Sequence, residues 1–381
     1  MINKNFFLTM GMAVLLNIPT ADAQSLTKIE AEKAKAEICR EWTAATKEKY
    51  QKEWNESIVR VDSLMMPFVM RTYDEKPADG YSLYISLHGG GNCPKEINDQ
   101  QWMNQVVLYR PKNCLYIAPR APYNDWDMWC KPKLDQFYKE LIEMCVVYAD
   151  VNPDKVYLMG YSAGGDGVWR MAPRMADHWA AASMMAGHPG DVSLVNLRNM
   201  PYMIWCGALD YAYDRNKLDR ERGVQMDSLQ HADPEGYIHE THIMEGKGHW
   251  MDRADTVAVT WMSKYQRNPY PKKIVWRQEE VLRPAFYWIS VPKEEMQRGK
   301  TIRLSADKNI IDITECDYRE VTLLLSDEIV DLDKKVTVRY QGKKLFKGKL
   351  ERTAQTLRQT MQERGDYRYA FPAKVTLRIT K

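Results

Sequence analysis

The sequence predicts an α/β architecture: a mostly parallel sheet with helices on both faces, followed by a smaller β-rich domain. Short apolar runs ending in Gly, Pro or Asp recur from Tyr81 to Met244, and longer helical stretches separate them. Runs that are apolar on both faces and alternate with helices belong to a parallel sheet covered on both sides. After Asn268-Pro269-Tyr270-Pro271 the texture changes to short alternating segments divided by turns, as in a β-rich domain. The chain has 381 residues, 45% hydrophobic and 28% charged, with a formal net charge of +3. These values exclude disorder, collagen and coiled coil, and the length suits two domains or one large domain with an appendage. So weak a charge gives no reason to expect nucleic acid as a partner.

The elements follow in chain order. Residues 1–23 read as a signal peptide: Lys4 is the positive end, Phe6–Ile18 the apolar stretch, and Ala21-Asp22-Ala23 an A-x-A cleavage site. No later stretch reaches transmembrane length, so no membrane span is expected in the mature chain. Residues 24–62 form an N-terminal helical segment, rich in Ala, Glu and Lys as far as about Trp54. The α/β domain is expected over 63–268. Its strands are Tyr81–Leu87, Cys114–Ala118, Val156–Met159, Ala181–Met185, Met203–Cys206 and Ile238–Met244. Its helices include Leu134–Tyr148, Gly164–Met175, Lys217–Gln230 and Ala254–Tyr265. The β-rich domain covers 271–381, with strands at Ile274–Trp276, Ala285–Val291, Ile302–Ser305, Ile310–Thr314, Val321–Leu325, Val336–Tyr340, Leu345–Lys349 and Val375–Ile379, and one helical stretch over 351–364. Charge divides at this boundary, −5 upstream against +8 from residue 271 onward. The seven cysteines are scattered and odd in number, unlike a disulfide scaffold; one bridge, involving Cys93 or Cys130 in loops, is compatible with the spacing. No Cys/His spacing suggests a metal site, and no cofactor motif is present.

Chemistry concentrates in two glycine motifs and one histidine. Gly160-Tyr161-Ser162-Ala163-Gly164 lies between an apolar strand and a helix, the setting in which G-x-S-x-G lifts a serine hydroxyl above a sheet edge. His88-Gly89-Gly90-Gly91 ends the strand before it. Consecutive glycines let backbone N–H groups approach an oxyanion, and each such donor is worth roughly 3 kcal/mol of barrier. A serine nucleophile needs a base and an orienting acid. Asp210 follows the strand ending at Cys206, with Asp214 as the competing acid. His249, between Gly248 and Trp250, follows the last strand of the domain; His188, after Met185, is a less favoured base and a pocket wall. His231, His239 and His242 fit the role less well.

Together these residues resemble the α/β-hydrolase superfamily, and within it the secreted branch of feruloyl and acetylxylan esterases, polyhydroxyalkanoate depolymerases and dienelactone-hydrolase-like enzymes. The resemblance covers about 63–266. It implies Ser162 as nucleophile, His249 as base and Asp210 as the acid, with the N–H groups of Gly90 and Ala163 holding the oxyanion; Gly89 and Gly91 are alternatives to Gly90. His88, Tyr161, Trp126, Trp129, His188 and Trp250 are expected to line the substrate pocket, the tryptophans as a platform for a sugar ring or planar acyl group. The expected substrate is a small ester or an acylated glycan. A prolyl-oligopeptidase-like peptidase and a glycan-binding protein with an inactive hydrolase core are the alternatives. The region after Pro271 resembles no module that assigns it a role.

Overall fold

The computed structural model describes residues 24–379, so the leader expected over 1–23 lies outside the described residues. The first element is α1 (Lys28–Glu56), opened by a capping box in which Thr27 accepts the Glu30 N–H and the Glu30 carboxylate accepts the Thr27 N–H. β1 (Ile58–Val61) and β2 (Leu64–Tyr73) form a hairpin, so the end of the segment expected to be helical joins the sheet instead. There follow β3 (Tyr81–Leu87), α2 (Lys95–Leu108), β4 (Cys114–Pro119), α3 (Leu134–Ala149), β5 (Val151–Tyr161), α4 (Ala163–Arg174), β6 (Ala181–Met185), β7 (Tyr202–Gly207), α5 (Arg215–Ala232), β8 (His239–Met244) and α6 (Val257–Met262). The helix expected over Ala254–Tyr265 is shorter and begins with a 3₁₀ turn.

These eight strands make one sheet in the order β1-β2-β4-β3-β5-β6-β7-β8. Only the first two strands run antiparallel to their neighbours; β4, β3, β5, β6, β7 and β8 pair in parallel. The result is a mostly parallel sheet with a two-stranded antiparallel edge. Its consequence for function is geometric: the loops after β3, β4, β5, β6, β7 and β8 all leave from the same edge of the sheet.

The β-rich region adds β9 (Lys273–Arg277), β10 (Ala285–Phe286), β11 (Ile289–Ser290), β12 (Thr301–Asp307), β13 (Ile310–Cys316), β14 (Glu320–Leu325), β15 (Val336–Tyr340), β16 (Lys343–Gly348), α7 (Ala354–Arg364) and β17 (Ala373–Arg378). They form a four-stranded sheet, β10-β11-β14-β17, and a five-stranded sheet, β16-β15-β13-β12-β9. The run Ala285–Val291, expected as one strand, is a tight hairpin because Tyr287 takes a left-handed φ of 50° between β10 and β11. Neither Cys93 nor Cys130 is in a disulfide, so the expected bridge is not formed. Among the described residues no helix is long and apolar enough to cross a membrane.

Candidate active site

Ser162 stands at the turn from β5 into α4 with φ 57° and ψ −122°, a strained conformation that projects its hydroxyl off the sheet edge. The glycines around it are forced by contact between backbones. A Cβ on Gly160 would lie 2.4 Å from the Gly164 carbonyl oxygen, and one on Gly164 would lie 2.1 Å from the Leu87 carbonyl oxygen. Strand, turn and helix can meet this closely only without side chains.

His249 reaches Ser162 from the loop after β8. Its Nε2 lies 2.9 Å from Ser162 Oγ and its Nδ1 lies 2.7 Å from Asp210 Oδ2. The carboxylate can only accept at Nδ1, which assigns the proton there and leaves the Nε2 lone pair facing the serine hydroxyl. Glycine again permits the approach: a Cβ on Gly207, at the end of β7, would fall 2.0 Å from the Gly248 carbonyl oxygen. Asp210 is 2% exposed at the side chain while His249 is 43% exposed, so the acid is sheltered and the base faces solvent. Arg215 Nη1 lies 3.8 Å from the second oxygen of Asp210. Asp214 stands exposed at the head of α5, and the bond to His249 belongs to Asp210. His188 turns to its own surroundings: its N–H donates to Asp166 at 2.6 Å and its Nδ1 accepts the Gly190 N–H at 3.0 Å.

The glycine loop after β3 packs directly on the nucleophile, for a Cβ on Gly89 would sit 3.2 Å from Ser162 Cβ. Gly90 and Gly91 have φ of 105° and 86°, open to glycine alone. The Gly91 N–H already donates to Asn98 Oδ1 at 2.8 Å, which removes Gly91 from the candidate oxyanion donors. Gly90 and Gly89 are left on that side, and Ala163 opens α4 on the other.

Several residues expected to line the pocket serve instead to hold it together. His88 is fully buried; its Nδ1–H donates to the Gly89 carbonyl at 2.6 Å and its Nε2 accepts the Ala121 N–H at 3.1 Å. Burial pushes its imidazole down to about 3, so it is a neutral pin beneath the loop. Trp129 is also fully buried, its indole N–H donating to the His88 carbonyl at 2.9 Å, so it is core and no part of a platform. Tyr161 is buried too. Its hydroxyl donates to the His249 carbonyl at 2.6 Å and accepts the Met251 N–H at 3.2 Å, which fixes the histidine loop. Trp126 and Trp250 are exposed at the rim.

The sequence reading passed over Asn98, Asn124 and Arg120. Asn98 is buried on α2 and donates to Asn124 Oδ1 at 3.0 Å, while the Asn124 carbonyl accepts the Asn92 N–H at 2.6 Å. Arg120 donates to Asn124 Oδ1 and to Asp99. No spacing rule marks these amides; they are found only once α2 and the loop after β4 are seen to clasp the glycine loop. Among the described residues no cluster of three His, Cys, Asp or Glu side chains has the geometry to hold a metal.

No protein-family profile matches this chain, and no curated protein does. Solved structures similar to it include a thermostable esterase at 18% identity and TM-score 0.45, covering 55% of this chain and 62% of that one, so the match spans less than two thirds of that esterase. A ferulic acid esterase is similar at 15% identity and TM-score 0.38, over 54% of this chain and 96% of its own. An acetyl xylan esterase from Aspergillus awamori is similar at 12% identity and TM-score 0.38, over 52% of this chain and 93% of its own.

Proposed function

We propose that the protein is an exported serine hydrolase that cleaves carboxylic esters and removes acyl groups from an oligosaccharide or polysaccharide. The observation that carries this reading is the His249 imidazole, bonded on one side to Ser162 Oγ at 2.9 Å and on the other to buried Asp210 at 2.7 Å. Ser162 Oγ attacks the ester carbonyl carbon as its proton passes to His249 Nε2. Asp210, sheltered from water, holds the ring in the required tautomer and stabilises the imidazolium. The oxyanion forms between the Ala163 N–H and the N–H of Gly90, with Gly89 the alternative donor. His249 then gives its proton to the leaving alcohol, and water releases the acyl group from Ser162 by the same steps. The half-exposed histidine suits an ester carried on a large polymer better than a deeply enclosed chain. Export rests on the leader-like pattern of residues 1–23.

The test is a substrate panel of nitrophenyl acetate, methyl ferulate and an aminoacyl anilide, given to the wild-type chain and to Ser162→Ala. Ester turnover should exceed anilide turnover, and kcat should fall at least about 10³-fold in the variant. Faster anilide cleavage would identify a peptidase instead.

A further inference from the structure

Of the 12 Trp and 22 Tyr in the chain, the exposed ones among the described residues are Trp126, Tyr211, Tyr213 and Trp250, at 49–67% accessibility, and all four flank the proposed triad. Tyr211 and Tyr213 follow Asp210 on its loop, and Trp250 follows His249. Trp126 adjoins the glycine loop, since a Cβ on Gly91 would lie 3.5 Å from the Trp126 Cα. Clustered rings left in water mark a recognition surface.

The backbone under one of them is strained as well. Tyr213 (φ 57°, ψ 26°) and Asp214 (φ 57°, ψ 25°) are consecutive non-glycine residues in the left-handed region, where such strain gathers at functional sites. That turn carries the Tyr213 ring to Trp126, which it meets edge-on at 5.8 Å and 70°. The Arg215 guanidinium lies 5.0 Å from the Tyr213 ring centre and 3.8 Å from Asp210, so the aromatic pair and the acid share a neighbour.

We propose that Trp126 and Tyr213 form a ring-stacking subsite for the sugar on the alcohol side of the scissile ester, which makes the substrate an acyl ester of a pyranose. The inference rests on the ester-hydrolase reading above. The leaving oxygen must take its proton from His249 Nε2, so the alcohol lies beside His249, where the acid loop stands. Two rings set at an angle offer apolar faces to the C–H faces of a pyranose.

The experiment compares kcat/KM on O-acetylated xylotriose with kcat/KM on ethyl acetate, whose alcohol has no ring, in wild type, Trp126→Ala, Tyr213→Ala and Tyr213→Phe. The ratio should fall at least about tenfold in each alanine variant and recover in Tyr213→Phe. A ratio within twofold of wild type in soluble variants with wild-type circular dichroism would overturn the proposal. So would a selective loss on methyl ferulate, which would place the rings on the acyl side. A wild-type chain that cleaves no ester refutes the functional reading instead. Calorimetric binding of acetylated xylotriose to Ser162→Ala, abolished by adding Trp126→Ala, then decides the subsite separately.

Discussion

Asp219, on α5, is fully buried and accepts the Trp169 indole N–H at 3.2 Å. Burial holds its carboxyl well above the usual carboxylate range; Asp166 and Asp210 add repulsion, against hydrogen bonds from the Cys206 thiol and the Trp169 indole. A carboxyl whose folded pKa is raised contributes stability that is present below its unfolded value, near 3.9, and is lost as pH rises through the folded value. Asp219→Asn keeps an acceptor for Trp169 and removes that loss. The variant should therefore gain about 1–3 kcal/mol over wild type at pH 8 and much less at pH 4, read by urea unfolding at both. A gain independent of pH would mean that Asp219 is ionised in the fold.

At the scale of elements, the proposed oxyanion loop depends on α2 more than on its own glycines. Asn98 accepts the Gly91 N–H, bonds Asn124, and donates to the Cys93 carbonyl at 3.3 Å, so one buried amide fixes both ends of the turn. Asn98→Ala frees the loop to drift, and misplacement of donors by about 1 Å costs up to 10²-fold in rate. On nitrophenyl acetate kcat should fall about 10- to 100-fold while KM changes less; an unchanged kcat in a folded variant would detach α2 from catalysis. This is also the element that the residue pattern hid. Of the three buried positions on α2, Asn98 and Gln105 are polar, so no apolar stripe announces a helix. β2 was hidden for a related reason: it lies near the sheet edge with a mostly half-buried or exposed pattern, broken by Pro67. The interior strands were legible because both their faces are buried. Ser162, Asp210 and His249 were legible because close-packed backbone admits only glycine at 160, 164 and 207. The clasp of Asn98, Asn124 and Arg120 was not, because it joins residues far apart in sequence through side chains that any surface loop can carry.

At the scale of the whole molecule, the β-rich region is built into the support of the eight-stranded sheet. Side chains of both, such as Leu158 and Met171 with Trp276, Trp288 and Leu323, belong to one continuous apolar cluster. Beneath it lies a buried ionic cluster. Arg267, just before the β-rich region, donates to Asp154 on β5 at 2.8 Å and pairs with Asp366 of the β-rich region at 2.8 Å. Arg364 pairs with Asp177, and Arg368 with Asp154. α7 also packs on α1, with Ile38, Leu357 and Met361 in a small core of their own. Removing 271–381 would take Asp366 from Arg267 and both Arg283 and Arg364 from Asp177, and would uncover apolar surface, so the truncated chain should be insoluble. The finer test leaves the chain whole. Removing one partner of a buried ion pair costs about 3–5 kcal/mol, the loss expected for Arg267→Met. For Asp177, burial pulls the pKa upward, but His178, Arg283 and Arg364 outweigh it; for Asp366, burial is outweighed by Arg267. Both carboxyls are thus held below the usual range, so their stabilisation is present above about pH 3.9 and is lost as pH falls through their folded values. Pepsin cleavage along an acid titration should then give one coincident transition below about pH 4 for two signals, cuts within the eight-stranded sheet region and cuts within the β-rich region, because the two share one core. Arg267→Met should move that transition to higher pH for both signals together. Two separate transitions would mean that the β-rich region is a detachable module, and the shared core would not be what keeps the eight-stranded sheet folded.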